Sequence, residues 1–175
     1  NLYLMNPAGI VFGPSATLNV QGSVAFTTAD YLRLAGANGS NTGIFHANPT
    51  ATNLLNSASI TAFGFLSPNP KAIEIQVSKL TVQPDQTLAL VGGNITVQSG
   101  MLGISADPPP SAPGKQILIA SVASPGEVLA ENFGKAPNIR GQSFGALGTV
   151  QISLNSKIDA SGESGGRILI KGGRL

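Results

Sequence analysis

The sequence NPAGIVFGPSATLNV, residues 6–20, decides the fold of this chain because it alternates turn residues with short apolar strands. Residues 6–9 are turn formers, since proline fixes φ and glycine tolerates positive φ. Three apolar residues then predict a short strand, and a Gly-Pro pair predicts a second turn. Residues 17–20 alternate between polar and apolar side chains, which predicts a strand with one buried face. The chain as a whole repeats this succession of short strand and sharp corner.

Strict alternation predicts further strands at residues 73–77, 80–83 and 95–98. The tetrapeptides LNVQ, LTVQ and ITVQ echo one another at unequal spacing, which excludes a strict short-period repeat. Many short strands with small corners favour a stack of coils. A β-sandwich is the alternative, but sandwiches prefer Asn-Gly or Asp-Gly hairpin turns, and one such pair occurs, in a loop at residues 38–39. The pattern therefore favours an all-β parallel β-helix.

Residues 43–70 are less regular than the rest and predict an excursion from the regular scaffold. Within it, residues 54–60 and 61–66 predict the two strands of a hairpin, and the Ser-Pro-Asn-Pro sequence at 67–70 closes it. Upstream, residues 31–34 could form one helical turn or a strand. Two leucines spaced two residues apart there favour a strand.

The composition excludes several classes of protein. Charged residues make up 10% of the 175 residues, well below the usual share of about 25%. Hydrophobic residues make up 42%, which is not a signature of disorder. The ten cationic residues are scattered and the net charge is +2, so we expect no nucleic acid partner. The chain has no cysteine, which excludes disulfides and thiolate metal sites. No apolar run approaches the roughly 18 residues of a transmembrane helix.

The ionisable residues do not form a catalytic pattern. His46 is the single histidine, and it lies in loop-like sequence with no triad or metal cluster around it. Asp30 and Arg33 could form an ion pair near the start of a strand. Asp159 and Glu163 could bind calcium weakly, although a solvated turn is the preferred interpretation. A polysaccharide-lyase type of enzyme would need clustered Asp, Arg and Lys residues, which the sequence lacks. We therefore expect no enzyme, no cofactor and no metal site.

Residues 1–13, NLYLMNPAGIVFG, resemble the Asn-Pro-Asn-Gly-Ile core and flanks of the haemagglutination-activity or TPS domain. This is the secretion domain of two-partner-secretion exoproteins such as filamentous haemagglutinin. Ala8 replaces the usual second asparagine of that core. Later segments are similar to cyanobacterial members of the family, so that the resemblance covers nearly the whole chain: residues 18–30, 72–76, 80–95 and 158–166.

The resemblance implies a right-handed parallel β-helix with an extra-helical hairpin or small sheet. Family members carry a further N-terminal segment with another Asn-Pro motif and a capping region, which has no counterpart here. We therefore expect residues 1–175 to be a single β-helix domain that is part of a larger TPS domain or exoprotein. Residues 43–70 would be its extra-helical excursion.

The resemblance also implies a partner and a location. The periplasmic POTRA domains of an outer-membrane transporter would recognise the chain, which would then fold at the bacterial cell surface as a secreted adhesin with a host or cell-surface ligand. Asn6, Pro7, Gly9 and Ile10 would belong to the transporter-recognition signal. They also suit a β-helix corner in which Asn6 bonds the local backbone, and the two interpretations are compatible.

The alternative function is structural. Open ends of a β-helix invite strand pairing, so the chain could be a self-assembling subunit of an extracellular surface fibre.

Overall fold

The computed structural model describes residues 1–36, 43–55, 59–104, 116–130, 144–153, 155–162 and 165–175. Every regular element within these ranges is a β-strand, and none of the described residues forms a helix that could span a membrane. In chain order the strands are Leu2–Met5 (β1), Ile10–Phe12 (β2), Val24–Thr27 (β3), Tyr31–Leu34 (β4), Gly43–His46 (β5), Ile60–Phe65 (β6), Ile73–Gln76 (β7), Lys79–Val82 (β8), Thr87–Gly92 (β9), Ile95–Gln98 (β10), Met101–Ile104 (β11), Gln116–Ser121 (β12), Gly126–Leu129 (β13), Val150–Ser153 (β14), Lys157–Asp159 (β15) and Arg167–Lys171 (β16).

Three parallel sheets form the walls of a β-helix. Sheet A contains β1, β3, β9, β12 and β16, sheet B contains β2, β7, β10 and β14, and sheet C contains β8, β11 and β15, each in that spatial order. Each coil runs from sheet A to sheet B to sheet C, so that β9, β10 and β11 make up the third coil. In the first coil Thr17 takes the sheet C position by pairing with Lys79. The predicted parallel β-helix with an additional small sheet is thus confirmed.

Equivalent residues of successive coils stack in columns inside the helix, because alternate side chains of a strand point to the same face. The columns of the three sheets include Leu4, Phe26, Leu90, Ile119 and Ile170 in sheet A, Ile10, Ile73, Ile95 and Val150 in sheet B, and Leu80, Leu102 and Ile158 in sheet C. Apart from Leu4, which is exposed on the edge strand β1, these residues belong to or pack against one apolar cluster that forms the core of the β-helix.

The central strands of sheet A are buried on their outer face as well as on their inner face. All six residues of β9 and all six of β12 are buried. Their outward side chains, such as Ala89 and Leu118, belong to a second apolar cluster that includes Leu32, Phe63 and Val128 from the fourth sheet. Continuous apolar runs are typical of strands that are covered on both sides.

The fourth sheet, sheet D, is antiparallel with strand order β5, β4, β6, β13. It takes β5 and β6 from residues 43–70, and β4 and β13 from outside that range. The predicted hairpin of residues 54–60 with 61–66 is wrong. Residues 60–65 form the single strand β6, whose two edges pair with β4 and β13, while Leu54 forms an isolated bridge with Ile44. Pairing between strands far apart in sequence leaves no trace in local alternation, which explains the error.

Candidate functional site at the corner between sheets A and B

The four predicted site residues lie in the first corner between sheets A and B, which joins β1 to β2. Asn6 Oδ1 accepts a hydrogen bond from the Ala8 N–H at 3.1 Å. The Gly9 N–H donates to the Asn6 carbonyl at 3.1 Å, which closes the turn. The asparagine side chain thus takes the place of a backbone partner within the turn, as is common for this residue.

Two backbone hydrogen bonds join this corner to the second coil. The Asn6 N–H donates to the Thr27 carbonyl at 2.9 Å, and the Ile10 N–H donates to the Ala72 carbonyl at 3.1 Å. Gly9 has a φ of 109°, a region that residues with a side chain rarely adopt. A Cβ on Gly9 would lie 3.4 Å from the Ala72 carbonyl oxygen, so the space is adequate and the backbone conformation is what requires glycine.

The structure separates the four residues by burial. Asn6 is exposed, Pro7 and Gly9 are half-buried, and Ile10 is buried in the inner column of sheet B. A partner could therefore contact Asn6, Pro7 and Gly9 in the folded domain, whereas Ile10 is a core residue there.

A second asparagine occupies the same corner two coils further on, with a different role. Asn94 Oδ1 accepts a hydrogen bond from the Thr149 N–H at 2.9 Å, so that its side chain joins the third coil to the fourth. The Asn6 side chain bonds within its own turn instead. Asn94 therefore provides an internal comparison for any role that is special to Asn6.

Two buried hydroxyl groups that the sequence interpretation missed stabilise this corner. The Thr28 hydroxyl donates to the Lys71 carbonyl at 2.7 Å and accepts a bond from the Gly93 N–H at 3.2 Å. The Ser121 hydroxyl donates to the Gly93 carbonyl at 2.8 Å. Both residues stand at the end of a sheet A strand, just before the chain leaves for sheet D. In the sequence, the only indication of this role is a hydroxyl residue at the end of an apolar strand.

The predicted ion pair between Asp30 and Arg33 is wrong. The Asp30 carboxylate accepts a hydrogen bond from the Leu66 N–H at 2.6 Å and so fixes the end of β6. Arg33 forms its ion pair with Glu127 on β13. Arg33 meets Glu127 because β4 and β13 pair with opposite edges of β6, which brings together two residues that are far apart in sequence.

Tyr31, Arg33 and Glu127 form a cluster on the outer face of sheet D. The Tyr31 hydroxyl donates to Glu127 Oε1 at 2.6 Å. Burial raises the pKa of Tyr31, and the hydrogen bond and charge of Glu127 raise it further. Burial acts to lower the pKa of Arg33, but its contact with Glu127 leaves that pKa raised. The His46 ring lies beside that of Tyr31 in a tilted arrangement, with ring centroids 5.7 Å apart. Each charged group is thus occupied by a structural partner.

Asp159 has structural partners as well. Its carboxylate binds Lys157 Nζ at 2.7 Å and accepts hydrogen bonds from the Ser161 hydroxyl at 2.6 Å and the Ser161 N–H at 3.0 Å. The hydrogen bond from Lys157, followed by those from Ser161, holds the pKa of Asp159 well below its usual range. Glu163 lies outside the described residues. Among the residues that the structure describes, no group of three or more His, Asp or Glu side chains could hold a metal ion.

The comparison with protein families agrees with the fold and with the motif. A family model described as the TPS secretion domain matches residues 1–170. Comparison with curated proteins gives no match, and comparison with solved structures gives none either. The matched family consists of secretion modules rather than enzymes, and its members leave the cell by two-partner secretion through an outer-membrane transporter. The chain belongs to the TPS secretion domain family.

Proposed function

We propose that this domain is recognised by the periplasmic POTRA domains of its transporter and folds at the cell surface as part of an adhesin. The chain would pass the outer membrane unfolded. An extended segment that includes residues 6–10 would bind the transporter, in the way that extended segments add a strand to an exposed sheet edge. The same residues would then form the first corner of the β-helix outside the cell.

The observation that carries this proposal is the order of the strands in space. In sheets A, B and C the spatial order of the strands is their order in the sequence. Each coil therefore needs only the preceding coil as its template, which is typical of repeat architectures whose units contact their nearest neighbours. A chain that emerges from its N-terminus onwards could add coils one at a time. The lack of cysteine removes one obstacle to unfolded transit.

A secretion assay with the cognate transporter tests the recognition role. We expect Asn6→Ala and Gly9→Ala to reduce both the amount of secreted chain and its binding to purified POTRA domains after dilution from denaturant. Asn94→Ala is the matched control, because it removes an asparagine from the same corner of another coil. Equal loss of secretion in Asn6→Ala and Asn94→Ala would mean that the motif serves only as a corner of the β-helix and not as a recognition signal. Unchanged binding and secretion in Asn6→Ala and Gly9→Ala would remove the recognition role.

A fibre subunit is the second candidate, and it rests on apolar side chains that the 175-residue chain leaves exposed on the two edge strands of sheet A. Leu4 is 42% exposed at the first coil, and Ile168 is 45% exposed at the last. An open groove of about 490 Å³ lies beside β14 and is lined by Val150, Ile152 and Leu175 among others. Edges of this kind can stack head to tail into filaments. Electron microscopy of the concentrated chain distinguishes the candidates: filaments would support the fibre, and monomers would count against it.

A further inference from the structure

One strand pairing breaks the rule that each coil is built on its predecessor. The last strand of sheet D, β13, pairs with β6, although six strands, β7 to β12, lie between them in the sequence. The other three strands of sheet D belong to the single excursion between β3 and β7. Sheet D can therefore be complete only after β13 has come back to an excursion that left the helix two coils earlier.

The arrival of β13 covers one edge and one apolar side chain of the sheet. The strand occupies the second edge of β6 from Ala62 to Phe65, and the Ala130 N–H donates to the Thr61 carbonyl at 2.8 Å. Val128 lies opposite Phe63 and is fully buried. Without β13, backbone groups of β6 would lack partners along this edge, and Phe63 would lose Val128 as one of its apolar neighbours.

Side chains on the outer face hold β13 in place. Glu127 lies opposite Gly64, and Gly64 lies opposite Tyr31. The Tyr31 hydroxyl crosses over β6 to donate to Glu127 Oε1, and Arg33 Nη2 contacts the same oxygen. Two side chains of β4 thus reach over the intervening strand to one carboxylate of β13.

We propose that β13 is a strap that joins sheet D last, and that Glu127 is the residue that locks it. The strap has four residues and a single fully buried side chain, which is the profile of an element that opens locally. The pairing of β13 with β6 closes a loop that contains six other strands, whereas β4, β5 and β6 pair within one excursion. Because the entropy cost of closing a loop grows with its length, we expect β4, β5 and β6 to pair first. Opening of the strap exposes the edge of β6 and leaves the β-helix intact. If the chain emerges N-terminus first, as in the proposed function, this edge stays open until β13 follows.

Native-state hydrogen exchange of the full 175-residue chain tests the strap. We expect the amides of β13 to exchange at least about tenfold faster than those of β9 and β10. In Glu127→Ala, exchange of β13 and of β6 should rise by a further factor of about ten, with β9 and β10 unchanged. Glu74→Ala is the control, since this glutamate is on the outer face of sheet B, and we expect no change in β13. Equal exchange of β13 and β9 in the unmodified chain would overturn the proposal.

Pulse-labelled refolding tests the order of events independently. The amides of β9 and of β4 should gain protection in an earlier kinetic phase than those of β13. Glu127→Gln keeps an acceptor for Tyr31 without the charge, and it serves as the milder variant should Glu127→Ala not fold. Protection of β13 in the same phase as β9 would overturn the proposal. Both measurements use the purified chain, so their outcome is distinct from that of the secretion assay.

Discussion

The ring of Tyr31 lies over Gly64, so closely that a Cβ on Gly64 would be 2.0 Å from the Tyr31 Cζ atom. The two residues are paired across β4 and β6. Glycine within a strand often marks a place where another group approaches the backbone closely. Here it lets an aromatic ring cross a whole strand, and the tyrosine hydroxyl reaches Glu127 on the far side.

The first prediction concerns this crossing. Gly64→Ala should lower the free energy of unfolding by about 1–3 kcal/mol, since the new methyl group must displace the ring. Gly13→Ala is the control, because a Cβ at Gly13 has no neighbour within 4 Å, and we expect a change of less than about 0.5 kcal/mol. Urea unfolding of the two variants measures both effects. A cost at Gly64 no larger than at Gly13 would contradict the crossing.

The second prediction concerns the ionisation of Tyr31. The chain has two tyrosines, and burial raises the pKa of each. In Tyr3→Phe the absorbance of tyrosinate reports Tyr31 alone, and we expect its pKa above the ordinary value of about 10. Adding Glu127→Gln should lower this pKa, because the carboxylate disfavours a second negative charge beside it. A raised folded-state pKa stabilises the fold below about pH 10, and this stability is lost as the pH rises through the folded-state value. An unchanged titration after Glu127→Gln would contradict the contact.

The sequence predicts the β-helix well because its strands alternate and its corners use turn residues. Ile73–Gln76 and Ile95–Gln98 have one apolar and one polar face, and both lie in sheet B as regular rungs. The turn at residues 6–9 is readable for the same reason. The burial of Ile10 could not be predicted from the sequence alone, since an apolar residue after a turn suits a core position and a recognition motif alike.

Sheet D could not be assembled from the sequence because its partners are distant. The pairing of β6 with β13 depends on where two excursions leave the helix, and Thr28 and Ser121 mark those points only once the coils are stacked. One usable signal was present. The continuous apolar run at residues 88–91 differs from the alternating strands around it, which indicates a strand covered on both faces.

The third prediction concerns pH. The pKa of Asp159 is lowered in the folded state, so its contribution to stability is present above the unfolded-state pKa of about 3.9 and is lost as the pH falls through the lower folded-state value. The Lys157 side chain is 63% exposed and solvent screens its charge, so Asp159→Asn should cost less than about 1 kcal/mol at pH 7. Urea midpoints measured at pH 7 and below pH 3 should show the difference from the unmodified chain shrinking at low pH. A difference that grows on acidification would contradict the sign.

The corners between sheets B and C share a backbone feature. Each of the first four coils has there a residue other than glycine with positive φ: Ser15, Val77, Ser99 and Asn155. Val77 is the unfavourable member, since a β-branched side chain at φ 50° crowds the backbone. Its N–H donates to the Gln98 carbonyl at 3.0 Å and its carbonyl accepts from the Ser15 N–H at 3.1 Å, and these bonds between coils hold it in place.

The fourth prediction follows from this strain. Val77→Asn should raise the free energy of unfolding by about 1 kcal/mol, because asparagine tolerates positive φ and a side chain that is 58% exposed loses little burial. Val11→Asn is the matched control: Val11 is 64% exposed on the outer face of β2, in extended backbone, and the same change should leave stability unchanged or lower it. Thermal and urea unfolding of the two variants give the comparison. Equal destabilisation in both would mean that the stacked coils relieve the strain at Val77.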